Sequence, residues 1–135
     1  MSGNAAEIVK KMVVMRFDMN KIKVLIMGIG MNGDDFYYDT DIIDLALELQ
    51  EEYHFQVHVL DPHADKEFLR KEYNIRCENS MKGFGVVSTY SVFFLAFAHN
   101  EFIYPNFKIE EHNRGKFIIC DTKNFFPDNA VALKL

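Results

Sequence analysis

The chain has little cysteine, no clustered basic residues and no long apolar run. Only Cys77 and Cys120 occur, with neither metal-ligand spacing nor a paired framework. This excludes a disulfide scaffold and fits a reducing, cytoplasmic setting. Neither cysteine has a neighbouring base in sequence, so both read as buried structural thiols rather than nucleophiles. The formal net charge of −5 gives no electrostatic footprint for DNA, RNA or an anionic membrane, so no nucleic-acid or membrane partner is expected. Lys10, Lys11, Arg16, Asp18 and Lys21 break up the N-terminal segment, leaving no run of signal-peptide or membrane-spanning length. Internal repeats and low-complexity segments are absent.

What is present is enough for one domain. With 135 residues, 49% hydrophobic and 26% charged, the chain can build a real core and is too short for two. Residues 4–17 carry Ala5, Ile8, Val9, Met12, Val13 and Met15 near helical spacing, with Glu7 early and Lys10, Lys11 and Arg16 late, as the helix dipole prefers. Residues 24–27 form an apolar run without alternation, which predicts that the strand over 23–29 is buried on both faces in a helix-covered parallel sheet. A second helix begins at one of three good N-caps, Asp39, Thr40 or Asp41, and runs to about residue 53. Residues 55–60 predict a second strand closed by Asp61-Pro62, and residues 65–73 a short charged helix. The most apolar run, 92–98, predicts a central strand, and 117–120 a last one. Strands alternating with helices imply a Rossmann-like three-layer α/β sandwich with a mainly parallel sheet behind an N-terminal helix, its ligands at the carboxyl ends of the strands.

Gly28-x-Gly30-x-x-Gly33 after the first strand has the spacing of a dinucleotide fingerprint. Two features count against an NAD site. Residues 34–39 separate the third glycine from the helix, and Asp61 comes later than the acidic residue of such a site. Asp34, Asp35, Asp39 and Asp41 also crowd the place of a phosphate, where like charges oppose it. The same aspartates suit a hard cation in type but lack EF-hand spacing, so capping and solvation account for them and no metal is expected. His99, at the end of the central strand, is either a ligand contact or a histidine bonded to local backbone.

The strand-end motifs resemble the C-terminal domain of the UDP-glucose/GDP-mannose dehydrogenase family, in particular its UDP-N-acetylhexosamine 6-dehydrogenase branch. That domain opens with a strand ending in Gly-Leu-Ala/Thr-Phe/Tyr-Lys, then runs through Asp-x-Arg-x-Ser into a helix. Its second strand ends in Asp-Pro, its central strand in Ala-x-Ala-His-x-x-Phe and its last in Asp-Thr-Arg-Asn. Here the corresponding stretches are Gly28-Ile29-Gly30-Met31-Asn32, Asp61-Pro62, Ala96-Phe97-Ala98-His99-Asn100-Glu101-Phe102 and Asp121-Thr122-Lys123-Asn124. The resemblance spans nearly the whole chain. It implies that residues 1–20 correspond to the end of the family's central dimerisation domain and 21–135 to the domain that closes over the UDP-sugar in enzymes of polysaccharide biosynthesis. In the full-length family, NAD and the catalytic cysteine belong to the other two domains. The chain therefore reads as an excised or truncated module that binds no cofactor, has no catalytic residue and cannot oxidise a sugar alone.

The resemblance implies a substrate site at Gly28, Gly30, Asn32, Tyr38, His99, Asp121 and Lys123. The departures from the family fall on these ligand-facing positions. Asn32 stands in place of the family's lysine, and Tyr38 or Asp39 in place of its arginine. Thr40 is expected to keep the serine's capping role, and Lys123 keeps a charge without the arginine's fork. Losing two charged hydrogen bonds of roughly 1.5–3 kcal/mol each weakens UDP-sugar binding by on the order of a thousandfold, or abolishes it. By elimination, Asn32 is left as a neutral donor, Tyr38 to stack or donate its hydroxyl and residues 28–30 to offer backbone amides, while Lys123 alone supplies a full positive charge. Three readings stay open: a UDP-sugar-binding part of a dehydrogenase, a dinucleotide binder, and a protein-interaction or oligomerisation remnant. If the helix at 4–17 lacks the cover it has in the family, two copies pair through it; if it folds onto its own sheet, the chain stays monomeric.

Overall fold

The computed structural model describes residues 4–31, 37–84, 89–97 and 117–121. Helix α1 (Asn4–Val14) leads to strand β1 (Lys23–Met27), followed by two short strands, β2 (Gly30–Met31) and β3 (Tyr37–Tyr38). Helix α2 (Thr40–Leu47) continues as one π-helical turn over Glu48–Glu52 and is followed by β4 (Gln56–Leu60), α3 (Lys66–Tyr73) and β5 (Arg76–Glu78). A 3-10 turn, Met81–Gly83, precedes β6 (Val92–Leu95) and β7 (Ile118–Asp121).

Five strands form one parallel sheet in the order β5-β4-β1-β6-β7, with β1 in the middle. The chain leaves β1 in one direction through β4 to β5, then crosses back to β6 on the other side of β1. This is the Rossmann-like α/β arrangement, with its switch point between β1 and β6. Neither β5 nor the β2-β3 hairpin is expected from the sequence. The first is a three-residue edge strand with charged residues at both ends, and the second pairs only two residues on each side.

The unbroken apolar run of β1 has its predicted cause. Val24 and Ile26 lie in one buried cluster with Val57, Val59 and Phe94, while Leu25 and Met27 lie in another with Leu60, Phe93 and Leu95. Pleating sends successive side chains to opposite faces, so both faces of this strand are covered. Helices α1, α2 and α3 contribute Ile8, Met12, Ile43 and Leu69 to the first cluster, and the π turn contributes Leu49. Phe84 and Tyr90 close the second. Helix α1 thus lies on its own sheet, with Ala5, Ile8 and Met12 fully buried at i, i+3 and i+7, the arrangement for which a monomer is expected. Val13 and Val14, 60% and 70% exposed, face away from that core. Among the described residues no helix is long and apolar enough to cross a membrane.

The second face holds a buried polar pair. His58, 2% exposed, stacks on Phe84 with ring centroids 4.3 Å apart and meets the Tyr90 hydroxyl through Nδ1 at 2.7 Å. On its other side Nε2 accepts from Arg76 Nη1 at 3.3 Å. A guanidinium can only donate, so the ring is neutral, with its proton on Nδ1 directed at Tyr90. Burial, with Arg76 and Lys23 adding to it, pushes the imidazole down to about 4. The unfolded chain therefore binds more protons between pH 6.5 and 4. This contribution to stability is complete above about pH 6.5 and is lost as the pH falls towards 4. Water around exposed Arg76 screens the effect, leaving about 1–3 kcal/mol. Urea unfolding should show the native chain losing that much more stability between pH 7 and pH 4 than a His58→Gln variant; equal losses would contradict this account.

Candidate functional site

Residues at the carboxyl ends of β1, β4 and β6 meet through backbone bonds. Gly28 N donates to Leu60 O at 2.8 Å, joining the end of β1 to that of β4. Ala96 N and Phe97 N both donate to Met27 O, at 3.0 and 3.2 Å, joining β6 to β1 at the switch point. Gly28 has φ +92°, and a Cβ there would lie 2.8 Å from that of Phe97. Glycine is required on both counts: the backbone is left-handed and the next strand's chain passes too close for a side chain.

Asp61 organises this edge. It is fully buried, and its Oδ2 accepts from Ile29 N at 2.8 Å while its Oδ1 accepts from His63 N at 2.9 Å. Its own backbone is held by Glu78 O, which accepts from Asp61 N at 3.1 Å, and by Asn79 Nδ2, which donates to Asp61 O at 2.9 Å. The carboxylate that would read a ribose in a dinucleotide fold is therefore turned onto the chain's own turn. The backbone amides expected to serve a ligand are corrected accordingly: those of Gly28 and Ile29 are already taken by Leu60 and Asp61.

Past this turn the chain forms a hairpin instead of entering a helix. Gly30 pairs with Tyr38 and Met31 with Tyr37, and Asp39 N donates to Ile29 O at 2.8 Å. Helix α2 starts only at Thr40, and its N-cap is Asp39, whose Oδ1 accepts from Asp41 N and Ile42 N. Capping by Thr40 is thus also corrected. An Asp carboxylate one residue earlier reaches the free amides of the first turn and answers the helix dipole with a full charge. Asp65 caps α3 in the same way.

The expected substrate-site residues divide unevenly. Gly28 and Gly30 follow β1, and Asp121 ends β7, paired in register with Leu95. Tyr38, expected to face a ligand, instead stacks on Phe68 at 5.2 Å, and its hydroxyl accepts from Asp65 N at 3.1 Å. Desolvation raises this phenol above its ordinary value. Asn32, His99 and Lys123, like Asp34 and Asp35, lie outside the described residues. Both cysteine thiols are buried and pushed up to about 12, chiefly by burial, so neither is a thiolate near neutral pH.

Sequence reasoning missed the anchoring role of Asp61 and the part of Asn79. The Asp61-Pro62 pair marked the strand end, but the carboxylate's partner lies 32 residues away and gives no local sign. Among the described residues no group of three or more His, Cys, Asp or Glu could hold a metal ion. A shallow groove of about 290 Å³ lies along α2 and its π turn, lined by Asp44, Leu47, Glu48, Glu51 and Glu52. Its four carboxylates suit no phosphate.

No protein-family model and no curated protein matches the chain, so the resemblance to the dehydrogenase family rests on the motifs themselves.

Asp61→Ala should cost roughly 2–4 kcal/mol in chemical denaturation, because a buried amide loses its charged acceptor. Asp39→Ala should cost about 1 kcal/mol and Thr40→Ala less than about 0.5, in line with the observed cap; the reverse order would refute the assignment.

Proposed function

We propose that this chain is a UDP-sugar-binding domain of the nucleotide-sugar 6-dehydrogenase type, acting as a non-catalytic module with weakened ligand recognition. The observation that supports it is a convergence. The four strand-end motifs follow β1, β4, β6 and β7, which are successive neighbours in one parallel sheet, so the motifs start along a single carboxyl edge. Such an edge is where open α/β sheets bind ligands. Asn32 and Lys123 are the residues to which recognition falls, with Lys123 supplying the positive charge.

The dinucleotide reading is weaker, because two amides that a pyrophosphate would need are already bonded within the chain and helix α2 starts well beyond Gly33. The interaction-remnant reading loses its main argument, an uncovered α1, since that helix is buried on its own sheet. NAD belongs to other parts of the family enzyme, so the chain alone should reduce no NAD with any UDP-hexose above a no-protein control.

Amide NMR titration with UDP tests binding. Asn32→Lys should tighten it by about 10- to 100-fold, one restored charged hydrogen bond, and Lys123→Ala should remove it. Tyr38→Arg is unsuited to the purpose, because it would strip Phe68 and Asp65 of their contacts. Absence of UDP-induced shifts in both the native chain and Asn32→Lys would overturn the proposal.

A further inference from the structure

The opposite, amino-terminal edge of the sheet carries a second feature. Parallel register sets Lys23 beside Gln56, and His58 beside both Leu25 and Arg76. Lys23, His58 and Arg76 therefore lie on one face of three adjacent strands. Each cation is held in place. Lys23 Nζ sits 4.7 Å from the centre of the Tyr90 ring and donates to Thr89 Oγ1 at 3.2 Å. Arg76 lies 5.2 Å from the centre of the Phe84 ring, donating to His58 Nε2 and to Gly83 O at 3.3 Å each. Phe84 stacks on His58 and Tyr90 is bonded to it, so both cations border one buried polar pair, Lys23 over the Tyr90 ring and Arg76 at His58 Nε2.

Among the described residues every partner of these cations is uncharged: a hydroxyl, an imidazole, a carbonyl oxygen and two aromatic faces. In a chain with 20 acidic and 15 basic residues a carboxylate would be easy to supply. The nearest acid on the same strand, Glu78, instead pairs with Lys66 at 3.4 Å. Among the described residues neither Lys23 nor Arg76 has an ion pair. The two charges share one field: Lys23 is lowered by its own burial and then by Arg76. Of the five N–H donors of a guanidinium and three of an ammonium, the observed bonds use two and one, leaving three on Arg76 and two on Lys23.

We infer that Lys23 and Arg76 form a binding site for the phosphoryl group of a small soluble phosphomonoester. A dianion matches two cations, whereas a carboxylate would neutralise one, and a tetrahedral oxyanion can accept from both side chains at once. Thr89 and Tyr90 position Lys23, while Phe84 and His58 position Arg76. The site is separate from the carboxyl-edge residues: Lys23 lies at the start of β1, roughly 16 Å along the strand from Gly28 at about 3.3 Å per residue, and Arg76 starts β5, in register with His58 in the middle of β4.

The test is an amide and histidine-ring NMR titration of the full chain at pH 7.5, where a phosphomonoester is mostly dianionic. Inorganic phosphate and glycerol phosphate are the probes, with sodium chloride and acetate at matched ionic strength as controls. The expected result is saturable shifts confined to Lys23, His58, Arg76 and Thr89, absent with chloride and acetate. Lys23→Gln and Arg76→Gln should each weaken binding at least about tenfold, and Lys23→Arg should retain it. Since Arg76→Gln also removes the His58 contact, thermal unfolding of each variant is measured alongside, and Lys23→Gln alone decides if Arg76→Gln does not fold. Shifts that fail to saturate, that chloride reproduces, or that survive Lys23→Gln undiminished would mean an adventitious ion only and overturn the inference. Binding to phosphatidic acid vesicles without any response to the soluble esters would overturn it as well.

Discussion

The buried bond between the Asp61 carboxylate and the Ile29 amide holds the candidate site in its present form. It closes the turn after β1, fixes where β4 ends and leaves the following chain to fold back as a hairpin. A carboxylate removed from water is costly unless its oxygens are satisfied, and those of Asp61 accept two backbone amides, from Ile29 and His63. The consequence for function is direct. A turn whose donors are satisfied internally offers an incoming phosphate little.

Charge is distributed along the strands with a corresponding logic. The stretch after β1 and the start of α2 are rich in aspartate, where Asp39 caps the helix, and after β4 Asp61 anchors a turn. At the amino ends of β1 and β5, two cations are braced against aromatic rings and a neutral histidine, with no ion pair to either among the described residues. Cations without a nearby carboxylate repel one another and keep their donors available, the condition for holding an anion.

The parts of the fold that depend on local pattern were legible. Helical spacing marked α1, alternation was missing where β1 is covered on both faces, and aspartates marked the helix starts. Even there the competition among Asp39, Thr40 and Asp41 was settled by backbone geometry, because the cap must stand one residue outside the first helical turn. The edge strand β5 and the hairpin were not legible, being too short and too polar to carry a period.

The chain's composition and periodicity by themselves determined a helix-covered parallel sheet and the order of its strand-end motifs, since burial of apolar side chains at fixed spacings depends on near neighbours in sequence. Only the tertiary structure decided which polar groups meet. Ile29 and Asp61, like His58 and Tyr90, lie 32 residues apart, and strand order and register bring each pair within bonding distance. Hydrogen bonds and charge pairs act over a few ångströms in space, so their partners carry no periodic sign along the chain.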